Sequence, residues 1–549
     1  PMSPQNLNDS AQRWLLADPD PDTQSELQLL LHQPDRLADR FAGELDFGTA
    51  GIRGVLGAGP TCMNRVVVAR ATWGIVQHLI ACIQDAPQRG VVVGFDARTK
   101  SLAFAQETAS VLATAGVRAL LFDATVPTPM VPFAVHYLHA AAGIMITASH
   151  NPAQYNGLKL YWDNGAQIAP PHDQAIAKLR SFPPRAQPSG HVPLLSSQEL
   201  QRAYLDTLGH LCPPRPSSSL RIVYTPLHGV GGPLARAALT EAGFHNLVMV
   251  REQEQPDPAF PTVAFPNPEE PATLTLALQT ATNVGADLIL ANDPDADRLA
   301  VAVASANGFV VLSGNDVGVL LGHAMLTERS WPSPPFVVAT VVSSPMLGKI
   351  ARALGVRYEE TLTGFKWIAT RALAVEQQEG LSFAFGYEEA LGYAVGTSVR
   401  DKDGIAAALL VADLAASCSA QGETLLTRLD SIQRTYGVFA SAQATVTGNA
   451  ALLAMDRLRA APPTHIADYR VRTICDYATG TRLPASDVLA FELDCGRVTV
   501  RPSGTEAKLK IYADVLEEAP CKANGAVFRG RAQSNAEVLA TTVAALVAG

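Results

Sequence analysis

The sequence predicts a multidomain α/β protein, and three observations carry that reading. A strand–loop–helix–glycine–strand pattern occurs three times, the texture changes to alternating segments after about residue 435, and 549 residues at about 150 per domain give room for three to four domains. The first copy runs from VVVGFD (91–96) through a helix near 101–115, Gly116 and VRALLF. In that helix Phe104, Thr108, Val111 and Ala115 share one face, the period of an amphipathic helix. The second copy begins at RIVYTPLHG (221–229), has a helix near 233–242 and continues past Gly243 into NLVMV. The third begins at FVVATVVSS (336–344), has a helix near 346–354 and continues past Gly355 into VRYEE. Strands alternating with helices predict parallel sheets covered on both faces, with functional loops at the carboxyl ends of strands.

Linkers set the expected limits. Phe182–Pro193 and Cys212–Ser219 are rich in Pro and Ser, and Arg329–Pro335 holds three prolines. The expected domains are 1–215, 216–330 and 331–435, each α/β, and 436–549, α+β. In the last, ATVTG (444–448), VRTICDY (471–477) and RVTVRPSGTEAKLKIYADV (497–515) alternate like antiparallel strands, with a closing helix near 535–547. Ile405–Ala416, interrupted by Asp413, reads as a buried helix.

Composition removes several function classes. Hydrophobic residues make up 48% and charged residues 17%, which argues against a largely disordered chain. Net charge is −9, so no basic footprint for nucleic acid is expected. No apolar run is long enough to span a bilayer, no leader-like n- and h-regions open the chain, and the seven cysteines form no CxxC pair. A soluble cytoplasmic protein with free thiols is expected, a monomer or weak dimer without membrane partners.

Five loops carry candidate chemistry. ITASHNP (146–152) follows the apolar run AAAGIMI, a place where Ser149 would expose its hydroxyl beside His150; an ST-turn or N-cap serine explains the residue equally well. No GxSxG elbow exists for a hydrolase dyad. Lys159 lies just downstream in YNGLK. In ANDPDADR (291–298), Asp293, Asp295 and Asp297 alternate, and an extended segment would point them the same way. Each pair at ~4 Å would repel by about 4 kcal/mol at an effective dielectric of ~20. A hard divalent cation such as Mg²⁺ resolves that conflict, with Arg298 balancing residual charge. The loop is no EF-hand, since Arg298 stands where that loop needs Gly.

AFGYEEALGY (384–393) sets Glu388 and Glu389 between glycines; they suit sugar hydroxyls, or the acidic first turn of a helix. TLTGFKWI (361–368) and RDKDG (400–404) supply Thr363, Gly364, Lys366 and Lys402. RPSGTEAKLK (501–510) looks like a phosphate cradle, with Arg501 as a planar fork, Ser503 and Thr505 as hydroxyls and Gly504 for close backbone approach; a polar hairpin turn is the alternative. It is no Walker motif. FGTAGIRG (47–54) places Arg53 in a glycine-rich loop of similar anion-binding character.

Together, GTAGIR, TASHNP, DPDADR, GYEEALG and RPSGTE, in that order, resemble the α-D-phosphohexomutase superfamily from residue 48 to about 512. Within it the pattern is most similar to long bacterial phosphoglucomutases, which themselves are similar to animal phosphopentomutase-type enzymes. The resemblance implies four domains around a central cleft, three related α/β domains with mixed sheets and a C-terminal α+β domain. It implies a phosphoserine at Ser149, with that residue and Asp293, Asp295 and Asp297 holding one Mg²⁺ ion. Lys159 resembles a general acid/base, Arg53, Arg298 and His150 resemble groups near the transferring phosphoryl, and Thr363, Gly364, Glu388, Glu389 and Lys402 resemble sugar contacts. Arg501, Ser503, Gly504 and Thr505 resemble the distal phosphate site.

The implied reaction interconverts glucose 1-phosphate and glucose 6-phosphate, with glucose 1,6-bisphosphate as intermediate and activator. Phosphomannomutase or phosphopentomutase activity by the same mechanism, or a metal-dependent sugar phosphatase, are the alternatives. Many such mutases have Glu-x-Ser in the sugar loop, where this chain has Glu388-Glu389-Ala390.

Overall fold

The computed structural model describes residues 4–46, 51–184, 192–215, 218–480, 483–503, 508–518 and 525–548. Gly504 and Thr505, the FGTA part of the glycine-rich loop and Cys521 lie outside the described residues. The chain divides into two compact units, the first comprising Pro1–Val311 with Gly392–Ala412, the second Leu312–Leu391 with Asp413–Gly549.

In the first unit, one sheet runs in the order Ile52–Val55, Tyr155–Tyr161, Ala142–Ile146, Val91–Phe95, Ala119–Phe122, Leu194–Leu195. Its strands Ala142–Ile146, Val91–Phe95 and Ala119–Phe122 are wholly buried and pair in parallel, as apolar runs covered on both faces do. The face of Val91, Val93 and Phe95 shares a core with Phe104, Ala105 and Leu112 of the helix Ser101–Thr114. On the opposite face Gly94 and Gly143 leave room for Val131 and Val135 of the helix Met130–Leu138.

The parallel strands read from the strand–helix alternation are joined by antiparallel ones, the mixed sheets that the resemblance implies. Tyr155–Tyr161 folds back antiparallel on Ala142–Ile146, and in the second sheet Leu299–Ser305 folds back antiparallel on Leu288–Asn292. In both cases a loop too short for a helical crossover follows the buried strand, and a short return can only be antiparallel. Within the second sheet, Leu288–Asn292, Ile222–Thr225 and Leu247–Met249 pair in parallel. These two short returns are the 146–152 and 291–298 loops, at the carboxyl ends of buried strands.

In the second unit, Arg357–Thr361, Pro335–Thr340 and Ser382–Glu388 pair in parallel. The expected strand 336–344 ends at Thr340, because Val341 and Val342 turn away to pack with Val488 and Tyr512 of the C-terminal domain. The helix Gly314–Thr327 packs on Ser382–Glu388, so it groups with this sheet although it precedes residue 330. The C-terminal sheet is antiparallel throughout, in the order Val438–Thr447, Lys508–Glu517, Gly496–Pro502, Leu489–Leu493, Tyr469–Asp476, His465–Ile466. The helices Asn449–Ala460 and Gly525–Ala548 share its core; the second starts about ten residues before the expected closing helix. The fold is therefore three α/β domains with mixed sheets and a C-terminal antiparallel domain. Among the described residues no single helix is long and apolar enough to cross a membrane.

Candidate active site

The acidic loop of the first unit is a turn, not the extended segment expected, with Ala296 at φ +56°. The turn still gathers the three carboxylates. Asp293, Asp295 and Asp297 are fully buried, and one oxygen from each lies within 4.8 Å of the others. Neighbouring backbone shapes this turn: Val230 N–H donates to Pro294 O at 2.9 Å, and a Cβ at Gly229 would collide with Pro294.

Charges are divided unevenly. Burial, then the charges of Asp295 and Asp297, push Asp293 well above the usual carboxylate range. Burial acts the same way on Asp297, but Lys159, Lys402 and Arg298 outweigh it and hold that carboxyl below the usual range. Lys159, on the strand Tyr155–Tyr161, donates to Asp295 Oδ2 at 2.7 Å and Asp297 Oδ2 at 2.8 Å. Burial opposes its charge, yet the two aspartates prevail and raise its pKa. Asp295 Oδ1 and Asp297 Oδ1 remain buried with no hydrogen-bond partner among the described residues.

Ser149 faces this cluster. Its Oγ lies 3.2 Å from Asp293 Oδ2, and its backbone has φ +54°, a conformation uncommon outside glycine. The expectation of an exposed hydroxyl is corrected, since Ser149 is only 2% exposed. The adjacent side chain does meet it, with His150 Nδ1 3.2 Å from Oγ, because the left-handed turn at Ser149 swings the two side chains together. Burial, then the charges of Arg298 and Arg53, hold His150 well below the usual imidazole range, so the ring is neutral at pH 7.

Arg53 donates to Asn151 Oδ1 at 3.1 Å within the serine loop, and its Nε is buried without a hydrogen-bond partner among the described residues. Arg298 pairs with Glu269 at 3.1 Å, and its backbone N–H donates to Asp293 Oδ1. Lys402, expected among the sugar contacts, has its ammonium 3.3 Å from Asp297. The sequence grouped it with Thr363 by proximity in the chain; the fold brings it to the acidic loop.

A second cluster stands in the other unit. Glu388 closes a buried strand and accepts a hydrogen bond from Gly364 N–H at 2.5 Å. Glu389 follows in a turn, where its N–H donates to Ser343 Oγ at 3.2 Å. The alternative of an acidic helix start is thereby removed for both. Thr363 Oγ1 is buried without a hydrogen-bond partner among the described residues. Arg501, near the end of the strand Gly496–Pro502, donates to Tyr512 Oη at 3.2 Å and lies within the electrostatic reach of Glu389 and Glu388. Ser503 N–H donates to Lys508 O at 2.7 Å.

Comparison with known proteins decides the family. Residues 44–181, 202–307 and 313–436 match Phosphoglucomutase/phosphomannomutase, alpha/beta/alpha domains I, II and III, and residues 441–519 match its C-terminal domain. The chain belongs to the phosphoglucomutase/phosphomannomutase family, within the α-D-phosphohexomutase superfamily. A probable phosphoribomutase of Schizosaccharomyces pombe is 37% identical, over 92% of this chain and 93% of that protein. A mouse phosphopentomutase is 36% identical over 93% and 90%. The crystal structure of a putative phosphomannomutase from Thermus thermophilus superposes with a TM-score of 0.71, at 24% identity, over 92% of this chain and all of that one, a likeness of fold.

As a phosphoglucomutase/phosphomannomutase family enzyme, the protein has two further residues at this site that sequence reasoning missed. Arg98 is buried at 5% exposure and donates to the backbone oxygens of Ser149, Asn151, Pro152 and Tyr155 at 2.6–3.2 Å. Its guanidinium lies over the Phe260 ring at 4.9 Å, so one side chain grips the whole serine loop. Thr128 donates from Oγ1 to Asp295 Oδ2 at 2.5 Å and from N–H to Asp295 O at 2.8 Å. Arginine fits the first task because its planar fork offers five donors. The available signal was the ARTK tetrapeptide at the end of a predicted strand, which has no motif of its own.

Proposed function

We propose that the protein is a phosphoglucomutase that interconverts glucose 1-phosphate and glucose 6-phosphate, with Ser149 as the residue that donates and recovers the phosphoryl group. The observation that carries this reading is the 3.2 Å approach of Ser149 Oγ to Asp293 within a buried set of three carboxylates. A hydroxyl without a phosphorylated state has no need of that neighbourhood. A phosphoserine does, because it adds about −1.5 to −2 of charge beside those carboxylates, and a divalent cation held by the carboxylates would offset both.

The donor set suits a divalent cation. The two orphaned oxygens, Asp295 Oδ1 and Asp297 Oδ1, are hard ligands without protein partners, and Asp293 supplies a third. These residues would hold Mg²⁺ together with the Ser149 oxygen or its phosphate, and the ion would supply charge neutralisation and orientation for phosphoryl transfer. Arg53, Arg98 and Arg298 add fixed positive charge around the serine loop. Lys159, held protonated by Asp295 and Asp297, is the acid of the site. His150, neutral and in contact with Oγ, is the base within reach of that oxygen.

In the first half-reaction the O6–H bond of the sugar and the Oγ–P bond of phospho-Ser149 break, phosphorus bonds O6, and Oγ takes up a proton in place of the one O6 loses, giving glucose 1,6-bisphosphate and a free serine. After the bisphosphate turns around, Oγ loses its proton, the C1–O–P linkage breaks at phosphorus, the Oγ–P bond re-forms and O1 is protonated, releasing glucose 6-phosphate. Arg501 would hold the phosphate that is not reacting, and Glu388 the sugar hydroxyls. Positioning and preorganised charge carry such a transfer.

A pentose phosphate is the second reading, favoured by the names of the phosphoribomutase and phosphopentomutase relatives. A substrate panel with glucose 1-phosphate, mannose 1-phosphate and ribose 1-phosphate, each with a bisphosphate activator, separates the two. The highest kcat/KM is expected for glucose 1-phosphate; a higher value for ribose 1-phosphate replaces glucose with the pentose. EDTA is expected to stop turnover and Mg²⁺ to restore it. Intact-mass analysis is expected to find one phosphoryl group, on Ser149.

A further inference from the structure

The helix Arg65–Cys82 ends on a polar corner that the mutase site does not use. His78 and Cys82 stand four residues apart on this helix and therefore on one face. His172, the first residue of the helix His172–Leu179, meets them there. His78 Nε2 and His172 Nδ1 lie 2.9 Å apart, and Cys82 Sγ lies 3.5 Å from His78 Nε2. One ligand atom from each residue falls within 4.8 Å of the other two.

The sulfur–nitrogen spacing is that of a coordination shell, and the nitrogen–nitrogen approach, a hydrogen bond between the two rings, is close to one. With metal–nitrogen bonds of about 2.0 Å and a metal–sulfur bond of about 2.3 Å, tetrahedral geometry sets the ligand atoms about 3.3–3.6 Å apart. The sulfur–nitrogen spacing falls inside that range and the nitrogen–nitrogen spacing is a few tenths of an ångström short of it. Trp162 fixes the second histidine: its ring stacks on His172 at 4.4 Å between centroids and lies 5.6 Å from His78. Two imidazoles and a thiolate are a borderline-soft donor set, unlike the all-oxygen set of the acidic loop. Cys82 is exposed, so an ion has an open approach and a fourth position for solvent.

We propose that His78, Cys82 and His172 form a second metal site, which takes one borderline-soft divalent transition ion such as Zn²⁺. On binding, the thiol loses its proton to solvent and the two imidazoles bind through their neutral nitrogens. This site is independent of the mutase reading and stands if that reading fails.

Cobalt reports on it. The full chain is freed of metal, returned to excess Mg²⁺ to supply the acidic loop, and titrated with Co²⁺. A thiolate-to-cobalt charge-transfer band is expected to saturate at one equivalent, together with the intense visible bands of tetrahedral cobalt. Zn²⁺ is expected to abolish both. Oxygen-ligated cobalt at the aspartates gives no thiolate band, so the two sites are told apart. Cys82→Ser is expected to lose the charge-transfer band and keep mutase activity, and His172→Gln to weaken binding at least about tenfold. In the unmodified protein, one equivalent of Zn²⁺ is expected to slow alkylation of Cys82, read by peptide mass, at least about tenfold. Absence of the band, its survival in Cys82→Ser, or unchanged alkylation of Cys82 overturns the proposal.

Discussion

The serine and acidic loops of the first unit and the Glu388–Arg501 cluster of the second use similar residues in opposite ways. Around Ser149 the groups are buried and tied to one another: Lys159 to two aspartates, Thr128 to Asp295, Arg98 to four backbone oxygens of one loop. In the second cluster the ties are fewer among the described residues, Gly364 N–H to Glu388, Glu389 N–H to Ser343 and Arg501 to Tyr512, while unpartnered buried atoms occur in both places, Asp295 Oδ1 and Asp297 Oδ1 in the first and Thr363 Oγ1 and Arg501 Nε in the second. The first arrangement suits a reaction in which charge must meet fixed, oppositely charged groups. The second suits recognition, where donors stay available to a ligand that arrives and leaves.

Substitutions can break this contrast, and the largest effect is expected at Ser149. Ser149→Ala is expected to lower turnover by at least about 10⁴-fold while sugar-phosphate binding, read by calorimetry, persists. Near-normal activity would remove the serine from its proposed role. Arg98→Lys comes next. A lysine cannot reproduce a fork that serves four carbonyl oxygens, so the serine loop should shift; kcat is expected to fall on the order of 10²-fold with KM little changed. A rise in KM alone would place Arg98 on the recognition side instead.

Arg501→Ala should behave in the reverse manner. Loss of a charge-assisted contact worth about 1.5–3 kcal/mol is expected to raise KM by about 10- to 100-fold with a smaller change in kcat. An unchanged KM would dissolve the contrast between the two clusters.

The smallest effect concerns stability. Asp514, on the strand Lys508–Glu517, is pushed up to about 7 by burial, against the hydrogen bond from Ser441 Oγ and the charge of Arg497. In the folded chain it stays neutral up to that pH, whereas the unfolded carboxyl ionises near 4. The stability it contributes is therefore full below about pH 4 and is lost as pH rises toward 7. Asp514→Asn is expected to flatten this fall, so that Tm measured between pH 5 and 8 drops less than in the unmodified protein. An identical pH profile would contradict the assignment.

Much of this was legible in the sequence, for identifiable reasons. β-branched runs closed by polar loops gave the buried strands, and the loop motifs pointed to Ser149 and the three aspartates before any fold was known. Contacts made through backbone were invisible. Arg98 grips carbonyl oxygens more than fifty residues away, and a carbonyl has no residue type. Turn conformation was also hidden: the aspartates converge through a left-handed residue at Ala296, where strict alternation suggested an extended strand. Val341 and Val342 read as strand because their apolar character reports burial, and their burial comes from the C-terminal domain.

The segment Gly392–Ala412 carries a consequence for how the protein is made. Although it follows most of the second unit in the chain, it belongs to the first, where Tyr161 Oη donates to Asp401 at 2.7 Å and Tyr204 Oη to Asp403 at 2.9 Å. A fragment cut at residue 311 would strand both tyrosine hydroxyls without acceptors and lack Lys402 beside Asp297. A ribosome must therefore deliver about a hundred further residues before the serine-bearing half can close its own interior, and attempts to dissect the chain at its midpoint should yield a piece that cannot stand alone.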